Sequence, residues 1–160
     1  MAARASEPRI RVAAVIVLDD RILLVRQAKA GTSYHLLPGG GVEPGESLGQ
    51  ALVREIAEET GMAVRLVKPL FISDTLAPDG SRHVVNLTFL CEVVGVAAES
   101  SSERTIIGLD YATREALTTL DLRPPLARPL ADAWASDFVD SCRYLGPLWT
   151  PDAADPDGVA

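Results

Sequence analysis

Three glutamates lie close together near the middle of the chain, at Glu55, Glu58 and Glu59. Their spacing of i, i+3 and i+4 places all three side chains on one face if the segment is helical. Like charges held that close repel each other, so the arrangement favours a cation between them. Carboxylate oxygens are ligands that hard divalent ions accept. The spacing therefore predicts a site for a hard divalent metal.

A run of glycines, Gly39 to Gly41, precedes these glutamates and follows Pro38. Glycine reaches backbone conformations that are closed to other residues, so a glycine loop can approach a ligand closely. The run by itself is equally compatible with a plain turn. Beside an acidic helix, it favours a loop whose carbonyls and amides approach a metal and a phosphate.

The residues around the glutamates predict where the helix begins and ends. Ser47 can cap the first turn, and Gln50 completes a capping-box pattern with it. Gly61 supplies the C-terminal stop. An apolar stripe for packing on a sheet is formed by Leu48, Leu52 and Ile56, with Val53 widening it.

The segment from Gly40 to Met62 resembles the Nudix box, a loop–helix–loop signature written G-x5-E-x7-R-E-U-x-E-E-x-G-U, where U is a bulky aliphatic residue. The box spans 23 of the 160 residues, and methionine is the less usual choice at its last position. The resemblance implies a Nudix fold and hydrolysis of a nucleoside diphosphate linked to another group. The nine defined positions are filled by Gly40, Glu46, Arg54, Glu55, Ile56, Glu58, Glu59, Gly61 and Met62.

The resemblance also implies a metal site that holds Mg²⁺, with Mn²⁺ able to substitute. Glu55 and Glu59 are expected as direct ligands, and the main-chain carbonyl of Gly39 is expected to complete the site. Glu58 is expected either as a further ligand or as the partner of Arg54. Arg54 is expected to orient a glutamate. These box side chains are therefore the candidate catalytic residues.

Substrate contacts and the general base are less narrowly defined by the resemblance. Gly40 and Gly41 are expected to approach the substrate, and Glu46 is expected behind the metal ligands rather than among them. The general base is either a box glutamate or an acid on a downstream loop. Glu103 is the candidate for that downstream acid, with Glu99 behind it.

Three functions are compatible with the box. The leading one is hydrolysis of ADP-ribose or a related nucleotide sugar, because the box lead-in and residues 74–93 resemble ADP-ribose pyrophosphatases. The second is hydrolysis of nucleoside triphosphates, including oxidised ones, as in MutT-type enzymes. A third, from a different class, is a non-catalytic Nudix domain that senses a nucleotide. Arg11, Arg26 and Arg82 could contact phosphates or ribose, and the sequence does not select among them.

The composition narrows the partners. A hydrophobic content of 48% with 23% charged residues is typical of a soluble globular protein. The formal net charge of −7 argues against a general binder of nucleic-acid polymers. It would also repel a polyanionic substrate, and a bound divalent cation would offset that repulsion locally. No stretch is apolar enough for a membrane span or a signal peptide, so the expected location is cytoplasmic. Cys91 and Cys142 are expected to be ordinary reduced thiols.

The expected organisation is a single Nudix domain over residues 9–149, with a flexible arm at residues 1–8 and a disordered tail at residues 150–160. The predicted order is two strands, the loop and helix of the box, three strands and two helices. This order predicts an α+β fold, an α/β/α sandwich around a mixed sheet. The apolar segment around Trp134 and Trp149 could support a homodimer.

Overall fold

The structure, a computed structural model, describes residues 7–98 and 108–150. The expected arm and tail therefore lie almost entirely outside the described residues. Within these ranges the chain forms β1 (Arg9–Leu18), β2 (Arg21–Lys29), β3 (Thr32–Leu36), β4 (Gly39–Gly41), α1 (Leu48–Thr60), β5 (Met62–Leu76), β6 (His83–Val96), β7 (Gly108–Ala112), α2 (Arg114–Leu117), α3 (Ala127–Ala135) and β8 (Arg143–Pro147).

The strands form one mixed sheet in the order β3-β2-β1-β6-β5-β8, with β4 paired to β1 and β7 paired to β2. The central strand β1 runs parallel to β6 and antiparallel to β4. The register places Arg11 opposite Gly41 and Ala13 opposite Gly39. The glycine run, which was expected as a loop, is therefore a short strand held against the middle of the sheet.

Successive residues of β1 point to opposite faces of the sheet, and each face carries its own core. Val12, Ala14 and Ile16 pack with residues of α1. Ala13 and Val15 pack with residues of α2 and α3, including the buried Trp134. The helices thus cover both faces, and the predicted α+β sandwich is confirmed.

Helix α1 has both predicted caps. Ser47 and Gln50 form the reciprocal capping box, and Gly61 ends the helix in the left-handed conformation with φ 71°. The prediction for Val53 was wrong, because this side chain is 43% exposed. Val53 lies about 100° further round the helix than Leu52, which turns it away from the sheet. The residue that is buried instead is Glu55.

Three further strand predictions needed correction. Residues 28–34, expected as a loop, belong to a β2–β3 hairpin that turns through Ala30 and Gly31 at φ 50° and 80°. An alanine at positive φ is uncommon, so Ala30 itself gave no signal for this turn. The segments expected at 63–66 and 69–76 form one continuous strand, β5, with irregular pairing near Leu66 and Pro69. Strand β8 was missed.

The described part of the chain contains no helix with the length and apolar character needed to cross a bilayer. Trp134 belongs to the core under α3, so it does not offer a surface for a dimer. Its relative exposure is 9%.

The two cysteines should differ in reactivity. Cys91 is buried in the core beneath α1, and burial raises its pKa to about 12, whereas Cys142 is exposed. Because the thiolate is the reacting form, we expect Cys91 to react with a disulfide reagent at least about a thousandfold more slowly than an ordinary exposed thiol. A thiol titration of the folded protein should show one rapid thiol, and Cys142→Ser should abolish it. Two rapid thiols in the folded wild type would contradict this burial.

Candidate functional site

The buried carboxylate of Glu55 lies directly against the glycine strand β4. The Glu55 side chain is 1% exposed. A Cβ added to Gly40 would lie 2.3 Å from the Glu55 Cδ and 2.4 Å from each carboxylate oxygen. No real Cβ comes that close to another atom, so a side chain at this position would force the Glu55 carboxylate to move. The carboxylate thus occupies the space that a side chain at position 40 would fill.

Arg54 joins the helix to the loop that precedes it. Its Nε and Nη2 donate to the two carboxylate oxygens of Glu46 at 2.7 and 2.9 Å. Nη2 also donates to the Gly41 carbonyl at 3.1 Å, and Nη1 donates to Glu55 Oε1 at 2.8 Å. The Glu58 carboxylate is farther away, at 3.6 Å from Nη1. Arg54 therefore holds Glu55 in place and is itself held by Glu46.

This network changes the ionisation of its members. The bidentate hydrogen bond from Arg54, together with the backbone of Glu43, lowers the pKa of Glu46 to about 2. The hydrogen bond to Glu46 in turn raises the pKa of Arg54. Both groups are therefore charged at neutral pH. The ion pair is lost only when the pH falls low enough to protonate Glu46.

We expect Glu46→Gln to remove an acid-dependent part of the stability. The folded pKa of Glu46 lies below its ordinary value of 4.5, so ionised Glu46 stabilises the fold above that pH. This contribution is lost as the pH falls from 4.5 toward about 2. Thermal melts across this range should show a steeper loss of stability for the wild type than for the variant. Equal acid dependence of the two proteins would contradict the pairing with Arg54.

Glu59, one turn after Glu55, contacts the preceding glycine. Its Oε2 accepts a hydrogen bond from the backbone N–H of Gly39 at 2.8 Å. Gly39 has a φ of +151°, and an added Cβ would lie 2.0 Å from the Val12 carbonyl oxygen. Glu59 and Glu55 thus contact two consecutive glycines of β4. This places two carboxylates and the Gly39 main chain in one region.

The three box glutamates are not gathered into a ready-made cluster. Among the residues that the structure describes, no group of three acidic, histidine or cysteine side chains is close enough to hold an ion. Glu55 and Glu58 face Arg54, whereas Glu59 faces the Gly39 amide. As they stand, fewer than three of these carboxylates could hold one metal ion. Binding by all three would require their side chains to turn.

A groove of about 600 Å³ opens beside Glu55. This volume lies in the range of ligand sites in proteins. Sequence reasoning missed that Arg9 and Glu43 also line it, because nothing local in the sequence brings the start of β1 next to the box. The residues around the groove that matter for chemistry are Arg9, Arg11, Gly41, Glu43 and Glu55.

The remaining candidates lie elsewhere. Glu99 and Glu103 fall outside the described residues. Arg26 lies 3.5 Å from Asp110, and His35 Nε2 contacts the same carboxylate at 2.8 Å. Arg26 is therefore already paired with Asp110.

The chain matches the NUDIX domain model over residues 7–133. The ADP-ribose pyrophosphatase of Methanocaldococcus jannaschii is 36% identical over 89 residues, which are 55% of this chain and 53% of that protein. The nucleoside triphosphatase NudI of Enterobacter sp. (strain 638) is 33% identical over 93 residues, or 54% of this chain and 66% of that protein. Each match thus spans less than two thirds of the relative.

The fold has solved counterparts. A NUDIX hydrolase from Nitrosomonas europaea superposes with a TM-score of 0.70 and 26% sequence identity, covering 84% of this chain and 97% of that one. The family match covers the glycine strand, the acidic helix and both faces of the sheet. The box, the sandwich of helices around a mixed sheet and this match together show that the chain belongs to the Nudix family.

Proposed function

We propose that this protein hydrolyses the diphosphate linkage of a nucleoside diphosphate derivative in a Mg²⁺-dependent reaction. One observation carries the proposal: the carboxylates of Glu55 and Glu59 lie on the consecutive glycines Gly40 and Gly39, beside a groove of about 600 Å³. Acidic side chains on a glycine strand suit a metal-assisted reaction at a phosphate. The groove has room for a nucleotide.

The donors at the site fit Mg²⁺. This ion takes oxygen ligands and keeps several waters while bound by one or two carboxylates and the substrate phosphates, so a ready-made cluster of three is not required. Glu55 and Glu59 would hold it, with Glu58 and the carbonyl of Gly39 as further ligands. When bound, the metal neutralises the phosphate oxygens and lowers the pKa of an attacking water.

The chain's own residues position this chemistry. Arg54 donates to Glu55 at 2.8 Å and fixes the direction of that carboxylate, while Glu46 keeps Arg54 in place. Proton abstraction falls to a box glutamate or to Glu103. Comparing Glu58→Gln with Glu103→Gln assigns it, because loss of the base alters the acid limb of the pH–rate profile.

ADP-ribose or a related nucleotide sugar is the proposed substrate. The support is the similarity to the ADP-ribose pyrophosphatase of M. jannaschii. A nucleoside triphosphate is the second candidate, supported by the similarity to NudI and to a MutT-like protein of Streptomyces ambofaciens. Both candidates present a phosphoanhydride to the same carboxylates, so product identity has to separate them.

The test is a substrate panel with Mg²⁺ or Mn²⁺ and product identification by mass spectrometry. Release of AMP and ribose 5-phosphate from ADP-ribose supports the leading proposal, and release of pyrophosphate from nucleoside triphosphates supports the second. Excess chelator should abolish either activity. Tight nucleotide binding without turnover would instead indicate a sensing domain, and undiminished turnover in chelator would refute the role of the metal.

We also propose that the protein is cytoplasmic and works as a homodimer. Since Trp134 is in the core, the dimer surface would have to lie on other residues of the C-terminal segment, such as the partly buried Trp149. Light scattering on the purified chain measures the mass directly, and a monomer mass at working concentrations would exclude the dimer.

A further inference from the structure

Arg11 is a buried guanidinium with an unused donor. The residue is 4% exposed, and its Nη2 donates to the carbonyls of Leu37 at 3.0 Å and Gly39 at 3.5 Å. Its Nε is buried and has no hydrogen-bond partner. Within residues 7–98 and 108–150, no carboxylate pairs with it. A buried charge without a counterion is unfavourable, so this position favours an anion.

The position of Arg11 shows where an anion could reach it. Arg11 lines the groove of about 600 Å³ together with Glu55 and Gly41. It also lines a second, smaller cavity of about 20 Å³ with Arg82 and Arg123. This smaller cavity has room for about one water molecule. A group as large as a phosphate would therefore have to approach Arg11 from the groove.

Two of the other arginines are already paired with acids. Arg123 donates to both carboxylate oxygens of Asp121, at 3.0 and 2.8 Å, and lies over the ring of Tyr34 at 4.7 Å. Arg26 pairs with Asp110. In contrast, Arg11 has two carbonyls and no acid. Arg11 is thus a positive group without a paired acid, next to the acidic site of a protein whose formal net charge is −7.

We propose that Arg11 binds a phosphoryl oxygen of the substrate diphosphate, opposite the carboxylates of α1. This inference rests on the proposed function and adds an electropositive wall to its acidic site. Hydrogen bonds from guanidinium to phosphate are strong because both partners are charged. The contact is to phosphate and not to the base or sugar, so Arg11 contributes equally to the binding of any diphosphate substrate that the protein accepts.

Inorganic pyrophosphate is the probe, because it carries the phosphoryl groups without a nucleoside. We expect pyrophosphate with Mg²⁺ to raise the melting temperature of the wild type and to bind at least about tenfold more tightly than to Arg11→Met. The matched control is Arg65→Met, which removes an exposed arginine paired with Glu92 and changes the net charge equally. This control should bind pyrophosphate like the wild type.

The stability of the protein without ligand distinguishes a role of Arg11 in anion binding from a purely structural role. Replacing an uncompensated buried charge with an apolar side chain of similar volume should leave the melting temperature unchanged or higher. If Arg11→Met is instead destabilised but keeps the full pyrophosphate shift, Arg11 serves only to hold the Leu37 carbonyl, and the inference is wrong. Arg11→Lys, which keeps the charge without Nε, is the second variant if the first does not fold, and it should bind with intermediate affinity.

Pyrophosphate binding can be measured whether or not the protein hydrolyses a substrate. If neither ADP-ribose nor a nucleoside triphosphate is cleaved but pyrophosphate binding depends on Arg11, the anion site stands and the proposed function fails. If hydrolysis occurs and Arg11→Met has an unchanged KM for both substrates, this inference fails alone. A wild type that does not respond to pyrophosphate, with or without Mg²⁺, also overturns it.

Discussion

Glu59→Gln should lower kcat by about two orders of magnitude or more while the protein stays folded. The glutamine carbonyl can still accept the hydrogen bond that the Gly39 amide donates to Glu59 Oε2 at 2.8 Å, so the local backbone is preserved. What is lost is the negative charge that the proposed metal requires. Steady-state hydrolysis with Mg²⁺ and a thermal melt measure the two effects separately.

Glu92→Gln is the matched control, because it makes the same chemical change at an exposed position paired with Arg65. Its kcat should stay close to that of the wild type. Near-normal turnover in Glu59→Gln would remove Glu59 from the metal site. A large loss of stability in that variant would show that the carboxylate is needed for the fold rather than for the reaction.

Gly40→Ala should have an effect of similar size through a different cause. The new methyl group would occupy the position of the Glu55 carboxylate, 2.3 Å from its Cδ. Since Glu55 is buried and held by Arg54, it would have to leave its position beside β4. We expect kcat to fall about a hundredfold or more, with a loss of about 1–3 kcal/mol in the free energy of unfolding from overpacking.

The adjacent glycines provide the controls. A Cβ on Gly41 meets nothing within 4 Å, so Gly41→Ala should keep the stability of the wild type. A Cβ on Gly39 would meet the Val12 carbonyl at 2.0 Å, in backbone that cannot easily shift, so Gly39→Ala should fold poorly or not at all. Denaturant unfolding and steady-state kinetics on all three variants test this order. A kcat in Gly40→Ala equal to that of the wild type would mean that the position of Glu55 is not important for the reaction.

Much of the acidic helix could be predicted from local sequence. The capping box of Ser47 and Gln50, the stop at Gly61 and the shared face of the glutamates all depend on residues within a few positions of one another. Hydrogen bonds and side-chain contacts at these spacings are set by the geometry of the helix itself. For the same reason the sequence alone led to the α+β sandwich, since each strand and helix carries its own apolar face.

The sequence predicted less where segments outside the helix meet it. The expected pair of Arg54 with Glu58 at i+4 is present at 3.6 Å, but the shorter contacts of Arg54 to Glu46 and Glu55 were not predicted. The loop before α1 folds back and brings Glu46 within bidentate reach, which no helical spacing describes. The strand β8 was missed because it is short and pairs with β5, a strand distant in sequence.

The residues from 40 to 62 alone thus indicated the family, and they predicted the acidic helix and the metal-assisted chemistry proposed for it. Only the tertiary structure decided that Glu55 is buried against Gly40 and that Arg11, among three candidate arginines, is the one that lines the groove beside it. The physical reason is the pairing of β1 with β4, which sets Arg11 opposite Gly41. Such a register depends on the packing of the whole sheet and both cores, and not on the local sequence.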